Sequence, residues 1–314
     1  MAEIKKIATR ESYGATLVEL GKIDSRIVAL DADLAGSTKS GMFGKAFPDR
    51  FFNCGIAEEN MLGVAAGLST MGLIPFVSTF AMFAVCRPYE QIRTMIGHPR
   101  LNVKICASHG GVSVGADGAS HQCCEDFALM RTIPGMLVMC PSDDIEARQM
   151  VKAAYEYDGP VYIRFARAAT PVYHGADYKF AVGKGEIVSD GNDIAIIANG
   201  IVLPEVVKAA EILKAENISA RVINMGTIKP IDKDLVIDAA KTCGKIITVE
   251  EHTIIGGLGE AVCSVLAENY PAPVKRIGIN DEFGYSAEAE ELLREFGLCA
   301  ENISDVARAF VNAK

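Results

Sequence analysis

Three side chains able to handle protons share one glycine-rich stretch: His109, Asp117 and His121 in SHGGVSVGADGASHQCCED, residues 108–126. The stretch follows VKICA (103–107), which reads as a strand, so it falls at a strand's carboxyl end, where open α/β sheets place ligands. Two imidazoles and a carboxylate on such a loop suit acid/base and hydroxyl-binding work. The competing reading is a surface connection whose histidines only make local hydrogen bonds. Upstream, NCGIAEENM (53–61) sets two carboxylates, Glu58 and Glu59, before LGVAAGLSTMG (62–72). That run has no charge, so a helix there is expected to be buried almost all round. STFAMF (78–83) puts Phe80 and Phe83 three apart just past a strand, either as core or as an aromatic wall for a flat heterocycle.

Other motifs compete for attention. Gly111, Ser113 and Gly115 spell G-x-S-x-G, the nucleophile elbow of a serine hydrolase, but that motif needs a helix directly after the serine and GADGAS is too glycine-rich to start one. GGLGE (256–260) begins like a dinucleotide loop, yet Val262 stands where the third glycine belongs, and helix-to-strand packing explains the glycines equally well. Asp143, Asp144 and Glu146 after Pro141 read as an N-cap and first-turn acids rather than metal ligands. Nine cysteines show no metal spacing, and an odd count suits no disulfide scaffold; they read as small core hydrophobes in a reducing compartment. No metal site is expected.

The elements that must position these residues are legible as alternation. RIVAL (26–30), FVST (76–79), VKICA, LVMC (137–140) and VYIRF (161–165) are separated by ESYGATLVELGKI, NMLGVAAGLSTM, RPYEQIRTMIG and DDIEARQMVKAAYEY, each long enough for a crossover helix. That pattern predicts a mainly parallel sheet with helices on both faces. After AATPVYHGADYKFAVGKGEIVSDGN (168–192) the alternation restarts through DIAIIANG, RVINM, KIITVEE and VKRIGI. We therefore expect an α/β chain of two domains at 1–170 and 191–314, joined by a linker at 171–190. Half of the 314 residues are apolar, enough for two cores. A net charge of -9 without a basic run argues against nucleic-acid or anionic-membrane partners. MAEIKKIATRESYG has the pattern of neither signal peptide nor anchor, and a cytoplasmic protein is expected.

These pieces together resemble the C-terminal half of transketolase, a pyrimidine-binding domain followed by the family's C-terminal domain, over essentially the whole chain. GIAEENM resembles the segment whose glutamate hydrogen-bonds the aminopyrimidine of thiamine diphosphate, which implies Glu58, leaving Glu59 free to cap the helix. STFAMF resembles the family's aromatic wall, implying Phe80 as a stacking residue with Phe83 beside it; a tyrosine common three residues further on is Cys86 here. Ile56 matches the bulky residue that props the bent cofactor. HGGVSVGADGASHQ is similar to the segment H-x7-D-G-x2-H-Q, implying sugar-binding and proton-transfer roles for His109, Asp117 and His121. ATR and DADLAGS resemble phosphate and sugar contacts, implying Arg10 and Ser37. Arg167 in YIRFAR matches the arginine that grips the substrate phosphate, with Arg164 as a helper.

The resemblance implies transfer of a two-carbon glycolaldehyde unit from a ketose phosphate to an aldose phosphate, as in pentose phosphate metabolism. The chain contains no G-D-G motif of the kind that holds the Mg²⁺-diphosphate. This implies an N-terminal partner subunit that carries the motif and most of the Mg²⁺ contacts, assembled as a heterotetramer. 1-Deoxyxylulose-5-phosphate synthase shares DGxxHQ, but its loop does not begin with a histidine and has an arginine next, where this chain has His109 and Gly110. The beta subunits of 2-oxo-acid dehydrogenases share the architecture without that constellation. A non-catalytic subunit retaining the fold is the alternative of another class.

Overall fold

Strands rich in β-branched residues send alternate side chains to opposite faces, and two helical layers cover both. The computed structural model describes residues 5–313; the first four residues of the stretch read at the N-terminus lie outside these. The strands, in chain order, are β1 Lys6–Ala8, β2 Ile27–Asp31, β3 Phe51–Asn53, β4 Ile74–Ser78, β5 Lys104–Ser108, β6 Leu137–Met139 and β7 Val161–Phe165. They continue as β8 Ala169–Pro171, β9 Glu186–Ser189, β10 Ile194–Ala198, β11 Ala220–Asn224, β12 Thr227–Lys229, β13 Ile246–Thr253 and β14 Val274–Ile279.

A seven-stranded sheet runs in the order β12-β6-β7-β5-β4-β2-β3, parallel except for β12, which pairs antiparallel with β6. In β2, Val28 and Leu30 join the core beneath helices Glu58–Thr70 and Asp126–Thr132, while Ile27 and Ala29 join the core beneath helices Thr9–Ile23 and Asp144–Glu156. This is the period of two expected of a strand covered on both sides. The second sheet, β14-β13-β10-β11-β9, is parallel except for β9 at its edge. The chain thus has the expected α/β architecture of two domains.

The glycine- and proline-rich passage between the domains is ordered. Its start, β8, pairs antiparallel with β1, and its end supplies β9. Midway, His174 bonds through Nδ1 to Asp143 at 2.9 Å and through Nε2 to Glu186 at 2.7 Å, stacked on Tyr178 with 3.8 Å between centroids. Asp143 also caps helix Asp144–Glu156 by accepting the Glu146 N–H. Glu146 is more than a first-turn acid: it is buried and accepts from Ser142, Asn224 and Tyr178. Two helices that the sequence pattern did not yield, Ala289–Glu295 and Ala300–Asn312, close the fold. Among the described residues no helix is long and apolar enough to cross a membrane.

The burial expected of one helix is not found. Helix Glu58–Thr70 is not buried all round: Glu58, Met61, Leu62, Ala65 and Ala66 face the core, while Val64 is 40% exposed. Its other face is built of small residues (Gly63, Gly67) and neighbours the exposed Met71 and Met95. The lack of charge reflects an apolar surface, not complete enclosure.

Candidate functional site

The parallel strands end together, and the residues beyond them converge. β5 delivers Ser108 and then His109, whose φ of 58° lies in the left-handed region that non-glycine residues seldom adopt outside special sites. His109 is buried, with its Nδ1 2.8 Å from Ser108 Oγ. Gly110 follows because nothing larger fits: a Cβ there would stand 2.1 Å from Arg164 Cδ. Burial, aided by the cations Arg10 and Arg167, presses the His109 pKa down to about 3, so the ring is neutral at ordinary pH and works as a hydrogen-bonding group.

β4 ends at Ser78, and Phe80 bridges to Ser108. The rings of Phe80 and His109 stack at 3.9 Å, and those of Phe80 and Phe83 at 6.0 Å. His121 stands edge-on to Phe83 at 5.2 Å, with its Nδ1 2.9 Å from Ser120 Oγ. Phe80 is buried with one face against His109, while the partly exposed Phe83 lines an open cleft together with Leu34, Ile56, Glu58, Arg87 and His121.

Glu58 and Glu59 divide as the first two residues of their helix. Glu58 is 3% exposed and Glu59 open to solvent. Glu59 makes no capping bond; the helix has no side-chain N-cap, so it acts only through charge at the positive helix end. The surroundings of Glu58 are less apolar than the sequence suggests, because Arg87 Nη1 donates to Glu58 Oε1 at 2.7 Å. The Arg87 guanidinium also lies 4.1 Å from the Phe83 ring centroid. Sequence reasoning missed Arg87. A usable signal existed: residues 60–86 carry no charge, and Arg87 ends that run, four residues after Phe83.

Around His109, Arg10 Nη1 donates to the Ser37 carbonyl at 2.8 Å, and Arg167 lies 3.5 Å from Asp117 while donating to the Val114 carbonyl. Arg167 and Asp117 are each about two-fifths exposed, so their pairing is weak and can open. Arg164 is corrected. It is buried, paired with Asp126 at 3.0 Å, bonded to the Glu251 carbonyl and stacked over Phe127, so its guanidinium is committed inside the protein and is not presented to a phosphate in the cleft. Its role is to join the two domains.

The two competing motifs dissolve. Ser113 is buried inside a 3-10 segment, Val112–Asp117, that is broken at Gly115, and its N–H bonds Glu251 at 2.5 Å; there is no strand-to-helix elbow. The helix opened by GGLGE is blocked by its own chain, because Glu250 accepts the N–H groups of Leu258 and Gly259 at 2.6 and 2.8 Å. The place a pyrophosphate would take is filled.

The described residues form a mainly parallel sheet with a carboxylate-and-aromatic cleft at its strand ends, followed by a second α/β unit, and show no serine-hydrolase elbow. Residues 5–172 match the model of the transketolase pyrimidine binding domain and residues 183–303 that of the transketolase C-terminal domain. The chain belongs to the transketolase family. It is 42% identical over 306 residues to an apulose-4-phosphate transketolase subunit of Phocaeicola vulgatus, covering 97% of this chain and 98% of that one. Against human transketolase it is 39% identical over 310 residues, covering 98% of this chain but 49% of the human protein. A split-gene transketolase solved as an inactive beta4 tetramer superposes with a TM-score of 0.91 at 50% identity, covering 97% of this chain and 98% of that one.

Proposed function

We propose that this chain is the C-terminal subunit of a split transketolase, moving a glycolaldehyde unit from a ketose phosphate to an aldose phosphate in the cytoplasm. It acts with an N-terminal subunit that bears the G-D-G motif and most Mg²⁺ contacts, as a heterotetramer with sites at subunit interfaces. Within the chain, residues 1–170 form the pyrimidine-binding unit, 171–190 the connection and 191–314 the C-terminal unit. The observation that carries this reading is a cleft with one wall: Glu58 buried at its floor, Phe83 at its side, and Ile56 76% exposed at its rim.

The donor set fits the aminopyrimidine of thiamine diphosphate. Only one oxygen of Glu58 is taken, by Arg87, so the other can hold a ring nitrogen and share a proton with it. Phe83, backed by Phe80, would offer a stacking face to the ring, and Ile56 at the rim would support the cofactor from below. Thiamine diphosphate, when bound, supplies the nucleophilic carbon and electron sink that carry the two-carbon unit. The rings of His109 and His121 hydrogen-bond the sugar hydroxyls and pass protons along them. Asp117 selects hydroxyl configuration. Arg10, Ser37 and Arg167 anchor the phosphate away from the reacting carbon, the arginines by bidentate bonding.

The test is co-production with the chain encoded beside it, followed by assay of xylulose 5-phosphate with ribose 5-phosphate against pyruvate with glyceraldehyde 3-phosphate. The proposal expects a seven-carbon ketose phosphate from the first pair and no pyruvate consumption. Because one relative bears apulose 4-phosphate in its name, that ketose belongs in the donor panel. Full activity of this chain alone with added cofactor would refute the split site.

A further inference from the structure

The sequence shows no cysteine-rich metal spacing, yet folding assembles such a group beside the cleft. Cys86 and Cys123 sulfurs and a Glu125 carboxylate oxygen lie within 4.8 Å of one another, the one such group among the described residues. Cys86 Sγ stands 3.8 Å from Glu125 Oε1. The other oxygen, Oε2, accepts the Cys124 N–H at 2.7 Å, which fixes the carboxylate and leaves Oε1 turned to the thiols. Cys123 is fully buried, whereas Cys86 and Glu125 are partly exposed and give a route in.

We propose that Cys86, Cys123 and Glu125 bind one thiophilic divalent cation of the zinc class, with a water molecule as fourth ligand. Two sulfurs and one oxygen around an open position are a zinc donor set. Zinc–sulfur bonds of about 2.3 Å at tetrahedral angles put ligand atoms about 3.8 Å apart, within reach of the observed spacing after small side-chain rotations. Binding releases both thiol protons to solvent as the thiolates coordinate. Soft sulfur excludes Mg²⁺, which takes oxygen ligands, so this site is separate from any diphosphate-bound Mg²⁺.

The location gives the cation a consequence. Cys86 precedes Arg87, the partner of Glu58, and Cys123 lies two residues past His121, its carbonyl accepting the Gly111 N–H at 2.7 Å. A cation bonded to both sulfurs ties the turn that holds Arg87 to the loop that holds His121. The cluster stands on geometry in this chain and does not depend on the transketolase reading.

Anaerobic titration of the reduced full-length chain with Co²⁺, then Zn²⁺, tests it. The expected result is one Co²⁺ per chain, bound with release of two protons and giving a thiolate-to-cobalt charge-transfer band and tetrahedral visible bands, then displaced by one Zn²⁺ with no further proton release. Cys123→Ser should abolish the band, and Cys86→Ala or Glu125→Gln, at more accessible positions, should weaken binding at least about tenfold. Cys54→Ala and Cys263→Ala, which change the other partly exposed thiols, should leave it intact; circular dichroism checks that each variant folds. Absence of the band, a band unchanged in Cys86→Ala, or equal loss in Cys54→Ala overturns the proposal.

Discussion

Arg87 and Glu58 form an ion pair of 2.7 Å in which the carboxylate is buried and the guanidinium is 44% exposed. The pair therefore has an inner end that needs a partner and an outer end that solvent satisfies. Truncating each end has a different effect. Arg87→Ala leaves a buried carboxylate short of a donor, which costs about 1–3 kcal/mol; the urea unfolding midpoint should fall.

Glu58→Ala should leave assembly with the partner intact while turnover in the reconstituted complex falls by about 100-fold or more, the usual size of a lost acid/base group. Steady-state kinetics and gel filtration on the same preparation check both halves. Undiminished turnover removes Glu58 from the reaction.

The pH profile of stability reports on His109. Its folded pKa, pressed down to about 3 by burial and by Arg10 and Arg167, lies below the roughly 6.5 of an unfolded histidine. As pH falls below 6.5 the unfolded chain takes up a proton that the folded chain refuses, so stability declines towards pH 3. His109→Asn should flatten that limb in urea titrations at stepped pH; an unchanged slope contradicts the neutral ring.

His174 has the opposite sign. Burial alone would lower its pKa, but the bonds to Asp143 and Glu186 outweigh it and hold the value up at about 9. Its contribution is fully present below pH 6.5 and disappears as pH rises through about 9. The difference in unfolding free energy between the native chain and His174→Gln should thus shrink between pH 7 and pH 10.

Gly110→Ala probes crowding. The new methyl would fall 2.1 Å from Arg164 Cδ, and Arg164 is held by Asp126 and the Glu251 carbonyl. Overpacking against a fixed side chain costs about 1–3 kcal/mol, and the displaced backbone carries His109. Lower thermal stability together with slower turnover is the expected pair of results.

The alternation of apolar runs was enough to place every parallel strand except β3, and most of the crossover helices, because period and length are local properties. The strands it omitted, β1, β3, β8, β9 and β12, are mostly three residues long and owe their pairing to distant segments. Lys6 meets Pro171 and Thr227 meets Met139, relations that no local period encodes. In the site, Glu58, His109, Asp117 and His121 stood out by residue type and motif spacing. Arg87 did not, since its importance lies in a carboxylate 29 residues away. Arg164 was misplaced for a similar reason: its surroundings are Asp126 and Glu251, brought in by folding, and these convert a plausible phosphate ligand into a buried tie.

Because β12 comes from the second domain yet closes the first domain's sheet, and Ile228 within it enters the first domain's core, the two are not modules that evolution or an engineer could shuffle. A gene cut in the connecting passage would release a first half whose β6 edge is bare, a surface that recruits other chains into aggregates. Fission of a longer ancestral gene would be tolerated only where no strand is shared, and the seam inside this chain is not such a place.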